Sequence, residues 1–128
     1  MGQTSDELNM KMESKWVSFL QTKVNSFTKW DLVRFFHDNP YAEETSDNIA
    51  QALGRDPKVV SRELAELAQV GVVEQVRVPN YEVYRFTSSD DVRQLVKAFM
   101  EACRDRQFRI QAINHVIEGL HFSARHDF

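Results

Sequence analysis

One cysteine, Cys103, is all that the chain carries in 128 residues, which excludes an intrachain disulfide and a cysteine-rich zinc site. No apolar run approaches the ~20 residues of a membrane span. The opening Met-Gly-Gln-Thr-Ser-Asp-Glu lacks the basic and apolar regions of a signal peptide. Both absences point to the cytoplasm. Basic charge is also short, with 16 Lys/Arg against 19 Asp/Glu and a net charge of −3. Tight nonspecific nucleic-acid binding depends on phosphate neutralisation, so this balance argues against it. The deficit is uneven: residues 26–91 hold seven basic and twelve acidic side chains, residues 92–128 six and four. There is no Gly-rich phosphate loop, no nucleophile elbow and no His-Glu-x-x-His, so catalysis has no motif to rest on. Internal repeats and low-complexity tracts are lacking too.

What is present is a globular composition, 42% apolar and 27% charged, enough for one domain with helical arms. Leu8, Met12, Trp16, Phe19, Leu20 and Val24 recur at spacings of three to four, predicting an amphipathic helix over residues 5–24. Thr28 is the expected cap of a second helix running to about Asp38, which Asn39-Pro40 ends. Thr45 or Ser46 caps a short third helix with Ile49, Ala50 and Leu53 inward, stopped by Gly54. Asp56 and Pro57 then suit the cap and first position of a fourth helix. Val60, Leu64 and Leu67 give it one inward face, and Gly71 is placed as a left-handed terminator. Val72–Val78 and Val83–Thr87 read as strands around a Pro79-Asn80 turn, a hairpin with Tyr84 and Phe86 on one face. Ser88-Ser89-Asp90 caps a last helix from about Asp91.

That last helix carries a heptad seam. Val92, Val96, Phe99, Cys103, Arg106, Ile110, Ile113, Ile117 and Leu120 alternate at four and three, and all but Arg106 are apolar or cysteine. A continuous helix over 91–118 would be about 40 Å long, more than a core of this size can cover. The seam predicts a homodimer, with those eight residues at the interface.

The segments "TSDNIAQALGRDPKVVSRELAELAQVGVVEQ" and "YEVYRFT" resemble the winged helix-turn-helix pattern, a small-capped helix with Ile-Ala-x-x-Leu-Gly ahead of Val-Ser-Arg-x-Leu-x-x-Leu. The match covers residues 28–87, about half the chain. Many proteins of this class are dimeric transcriptional regulators of the MarR-like and ArsR-like kind. The resemblance implies a mainly α fold with a small β-hairpin wing, an N-terminal helix and a long C-terminal dimerisation helix flanking it. It implies a sequence-specific regulator that binds a palindromic site on double-stranded DNA. Lys58, Ser61 and Arg62 would face bases or phosphates, Ser46 would present its hydroxyl and N–H to a phosphate, and Arg77 and Arg85 would flank the wing. An effector between the winged domain and the dimer helices also fits. The sequence departs from the pattern in its short wing turn "VPNYE", which has no Lys/Arg tip, and in Glu63 and Glu66 near the recognition surface. The cysteine motif of metal sensors is missing.

Each signal has a plainer reading. Lys58 and Arg62 also suit a solvated face, with Arg62 paired to Glu66 at i+4. Cys103 reads as a buried core thiol rather than a redox sensor. His115, His121 and His126 with Asp127 are spaced too widely for a metal pair and read as a packing tail, and His37 reads as a helix-end histidine. Trp16, Trp30, Phe35, Phe36 and Tyr41 read as core rather than as a ligand pocket. No cofactor or metal is implied. The expected organisation is an N-terminal arm over 1–25, the winged domain over 26–89, the dimerisation helix over 90–120 and a tail over 121–128. The alternative function is a winged-helix protein-interaction module that does not bind DNA.

Overall fold

The computed structural model describes residues 12–126, with side chains to residue 120. Leu8 and the rest of the arm before residue 12, and the side chains of His121, His126 and Asp127, lie outside the described residues. Helix α1 (Ser14–Thr22) buries Trp16, Phe19 and Leu20, at the spacing the sequence predicts. Helix α2 (Phe27–Asp38) is capped two residues earlier than expected. The Ser26 Oγ accepts from the Lys29 N–H at 3.0 Å, so Ser26 rather than Thr28 fills that role. Thr28 is buried instead.

Helix α3 (Ser46–Leu53) is capped by Thr45, whose Oγ1 accepts from the Asn48 N–H at 3.2 Å. Gly54 ends it with φ +65°. Helix α4 (Pro57–Gln69) starts at Asp56, whose Oδ1 accepts from the Lys58 N–H at 2.8 Å, with Pro57 in the first turn. It closes at Gly71, φ +79°, where the Val72 N–H reaches back to the Leu67 carbonyl at 2.9 Å. Left-handed backbone of this kind is open to glycine at little cost.

Strands β2 (Val73–Val78) and β3 (Tyr81–Phe86) form the expected hairpin, and Val78 pairs with Tyr81 across the two-residue Pro79-Asn80 turn. A short strand β1 (Glu43–Glu44), not foreseen from the sequence, pairs antiparallel with β3 and gives the sheet order β1-β3-β2. Two adjacent glutamates carry no strand signal of their own; the free edge of β3 supplies it. Val73, Tyr84 and Phe86 turn into the core, while Tyr41, at 90% exposure, stands outside it, against expectation. The helix pair α3–α4 followed by this hairpin is the winged helix-turn-helix arrangement, flanked by α1 and by the C-terminal helices.

The C-terminal region differs from the single long helix expected. Helix α5 (Asp90–Ala102), capped by Ser89, stops at Cys103, and α6 (Arg106–His126) begins after a three-residue break. Asp105 accepts from the Gln107 N–H at 3.2 Å, a helix-start contact made inside the heptad pattern. The break lets α6 fold back along α1. Phe108 meets Trp16 and Phe99 at ring-centroid distances of 5.7 and 6.0 Å. Phe99 also contacts Phe19 at 4.9 Å and Trp30 at 5.3 Å, so four helices share one aromatic centre. The inward stripe of α6 is Phe108, Ala112 and Val116. α6 also runs on to His126, past the expected boundary at residue 120.

The expected seam therefore divides. Val96 and Phe99 are wholly buried within the protomer and have nothing to offer a partner, a correction to their assignment as dimer contacts. Val92, Cys103 and Ile113 are partly covered. Ile110, Ile117 and Leu120 are 41%, 40% and 43% exposed.

Candidate nucleic-acid interface

Helix α4 presents two chemically distinct faces. Val60, Leu64 and Leu67 are fully buried, and that fixes the rotation of every other side chain on the helix. Lys58, Ser61 and Arg62, at i, i+3 and i+4, come out together on the solvent side of the N-terminal half. Arg62 is 64% exposed.

The two glutamates of α4 take the opposite course. Glu63 and Lys29 are each only 5% exposed. The Lys29 ammonium lies 3.6 Å from Glu63 Oε2 and 2.5 Å from Glu66 Oε1, and donates to Asn25 Oδ1 at 2.7 Å. The Ser26 hydroxyl donates to Glu63 Oε1 at 2.5 Å, so the residue that caps α2 also clamps α4. A buried charge is tolerated only when paired and hydrogen-bonded, and here each charge has its partners. The hydrogen bond from Lys29 holds the Glu66 carboxyl below its ordinary value against the opposing effect of burial. Because Lys29 occupies Glu66, the i, i+4 pair between Arg62 and Glu66 does not form; Arg62 Nε instead sits 3.7 Å from Glu63 Oε2.

A second clamp was not foreseen from the sequence. Arg55, in the turn between α3 and α4, binds Asp31 Oδ2 through Nη2 at 2.6 Å and Nε at 2.8 Å, and donates to Thr28 Oγ1 at 3.1 Å. It bolts the helix-turn-helix corner to α2. Nothing local marks Arg55 for this role, because Asp31 and Thr28 lie on another helix.

The remaining expected contacts are placed less favourably for a polyanion. Ser46 is the first residue of α3 and is partly exposed. Asp47 follows it in the first turn, and Glu44, accepting from Asn48 Nδ2 at 3.1 Å, precedes it. Arg77 and Arg85 do not act together. Arg77 pairs with Glu82 and Arg85 with Glu74 across the ladder, and positions 74 and 77 of one strand point to opposite faces of the sheet. Arg77 is 81% exposed, 3.4 Å from Glu82; Glu82 is also bound by Gln75. Arg85 lies between Glu74 at 3.1 Å and Glu43 at 3.8 Å. Glu74 further accepts from the Ser88 hydroxyl at 2.6 Å and N–H at 2.7 Å, and these bonds, with Arg85, hold its carboxyl below its ordinary value. Arg85 is thus held within the sheet between β1 and β2, and Glu74 ties the hairpin to the segment before α5.

The Cys103 thiol is half-buried, and burial pushes it up to about 11 even though Arg109 and Arg34 pull the other way. A thiol so rarely ionised is a poor nucleophile. No helix among the described residues is long and apolar enough to cross a membrane. The topology is that of a generic winged helix-turn-helix domain, and comparison with protein-family models, curated proteins and solved structures finds no match.

Proposed function

We propose that the chain is a homodimeric, sequence-specific DNA-binding transcriptional regulator that places the N-terminal half of α4 in the major groove. It acts by binding, without catalysis. The observation that carries this reading is the inward turn of Glu63 and Glu66 onto Lys29 and Ser26. It buries Glu63 and ties the half-exposed Glu66 to Lys29, so neither carboxylate of α4 stands uncompensated beside Lys58, Ser61 and Arg62. An exposed guanidinium on a recognition helix suits the paired acceptors of guanine, and Lys58 and Ser61 suit phosphate or base edges. Dimerisation would use the outward stripe of α6, with Ile110, Ile113, Ile117 and Leu120 at heptad spacing, and would match a palindromic operator. With Arg85 held between carboxylates, phosphate contacts are few and the salt dependence of binding is shallow.

Selection from random duplexes at moderate salt tests this. The wild type should recover a palindromic site, and the double variant Lys58→Ala/Arg62→Ala should not. Arg62→Ala alone should lose about 1–3 kcal/mol and relax one position in each half-site. One observation favours a second reading, a winged-helix protein-interaction module: both wing arginines are paired with carboxylates. A selection with no enriched sequence, even at low salt, would decide for that module.

A further inference from the structure

Away from α4, α2 meets the α5–α6 junction across an open cavity of about 390 Å³. Arg34 lines it from α2, Arg104 from the break between the helices and Arg109 from the first turn of α6, with His37 beside them. Trp30, Met100 and Cys103 form its apolar floor. Three guanidiniums thus border one small space, against a single lining carboxylate, Asp38, which lies exposed and makes no ion pair with them.

None of the three arginines has a close carboxylate partner among the described residues. The carboxylate nearest Arg34 is Asp31 at 3.9 Å, and its Oδ2 is already held by Arg55 at 2.6 Å. The Arg104 side chain makes no hydrogen bond or ion pair among the described residues. Arg109 donates through Nη1 to the Cys103 carbonyl at 2.9 Å, a neutral acceptor that aims the guanidinium without cancelling its charge. Arg34 and Arg109 come from different helices, yet both act on the Cys103 thiol, so their charges converge on the cavity floor. Like charges so gathered repel, and a multivalent anion turns that repulsion into attraction. The planar guanidinium fork fits phosphate and carboxylate oxygens in pairs, and the volume is within the range of small-molecule sites.

We propose that this cavity binds a small multivalent oxyanion, phosphoryl or polycarboxylate, that bridges Arg34 of α2 to Arg104 and Arg109 at the α5–α6 junction. The apolar floor would take the ligand's carbon body. The site does not depend on DNA binding, and its test contains no DNA, so its failure would leave that reading untouched.

Isothermal titration calorimetry of the full chain, at ionic strength held constant with sodium chloride, provides the test. Pyrophosphate and citrate are titrated separately. One-site saturable binding is expected, weakened at least tenfold in Arg104→Ala and in Arg34→Ala. It should be unchanged in Lys23→Ala, which removes one positive charge from outside the cavity. Saturation by pyrophosphate alone marks a phosphoryl ligand, by citrate alone a polycarboxylate, and by both a site that reads charge. Arg104 is exposed, so its truncation leaves the fold intact, and circular dichroism checks this. No saturable heat with either probe, or equal affinity in wild type and Arg104→Ala, overturns the proposal.

Discussion

Replacing Lys29 with methionine keeps most of the side-chain length and its packing but removes the charge that holds α4 to α2. Breaking a buried ion pair by deleting one partner costs about 3–5 kcal/mol, because the other charge stays buried and uncompensated. Two features lower that figure here. The Glu66 side chain is 45% exposed and can turn to water. Glu63, at 6% side-chain exposure, cannot, but it keeps the Ser26 hydroxyl and the nearby Arg62. The expected loss is therefore about 2–3 kcal/mol, a large share of the roughly 5–15 kcal/mol typical of a domain. In urea unfolding the midpoint should fall by about 1–2 M with an unchanged slope. Adding Glu63→Gln removes the stranded charge and should recover part of the loss, so the double-mutant cycle should show coupling between the two sites. If the protein binds DNA as proposed, the single variant should also weaken that binding, because an uncompensated Glu63 draws the Arg62 guanidinium off the exposed face. A midpoint within about 0.2 M of the wild type would refute the reasoning and make the Lys29 cluster energetically idle.

Gly71→Val should cost about 1–2 kcal/mol, since φ +79° is strained for a β-branched residue even though the space around it is open; unchanged thermal stability would show that α4 can end another way. Ile117→Asp places a charge on the exposed stripe of α6, so it should leave protomer stability intact but yield monomers in sedimentation, because a dimer would have to bury the charge. A wild type already monomeric at micromolar concentration would dispose of that interface. Acid should destabilise the fold through Glu66 and Glu74, both held below their ordinary value of 4.5. A carboxyl that binds its proton less readily when folded stabilises fully above its unfolded value, and that contribution is lost as pH falls through the folded one. Glu74→Gln should therefore flatten the decline in urea midpoint below pH 4.5; an identical decline would refute its share.

The local grammar of the chain determined much of the winged domain. Asp56-Pro57 starts α4, Gly54 and Gly71 terminate helices, and Pro79-Asn80 turns the hairpin, because capping, left-handed backbone and turn geometry depend on residues within a few positions of one another. The spacing of Val60, Leu64 and Leu67 likewise set which way α4 faces. It even set the exposure of Lys58, Ser61 and Arg62, since one buried stripe orients the rest of a helix. Tertiary structure decided what depends on which neighbour arrives. Glu43–Glu44 became a strand only because β3 offered a free edge. Arg55 became a clamp only because folding brought Asp31 and Thr28 to it. Glu63 and Glu66 became parts of the frame only because folding brought Lys29 of α2 to them. At the C-terminus, two apolar stripes overlap in one sequence, Phe108–Ala112–Val116 and Ile110–Ile113–Ile117–Leu120. Periodicity shows that a helix has apolar faces, but not which of them its own domain will cover. The break at 103–105 settled that by laying α6 along α1, because an apolar surface is buried against whatever the fold brings within contact.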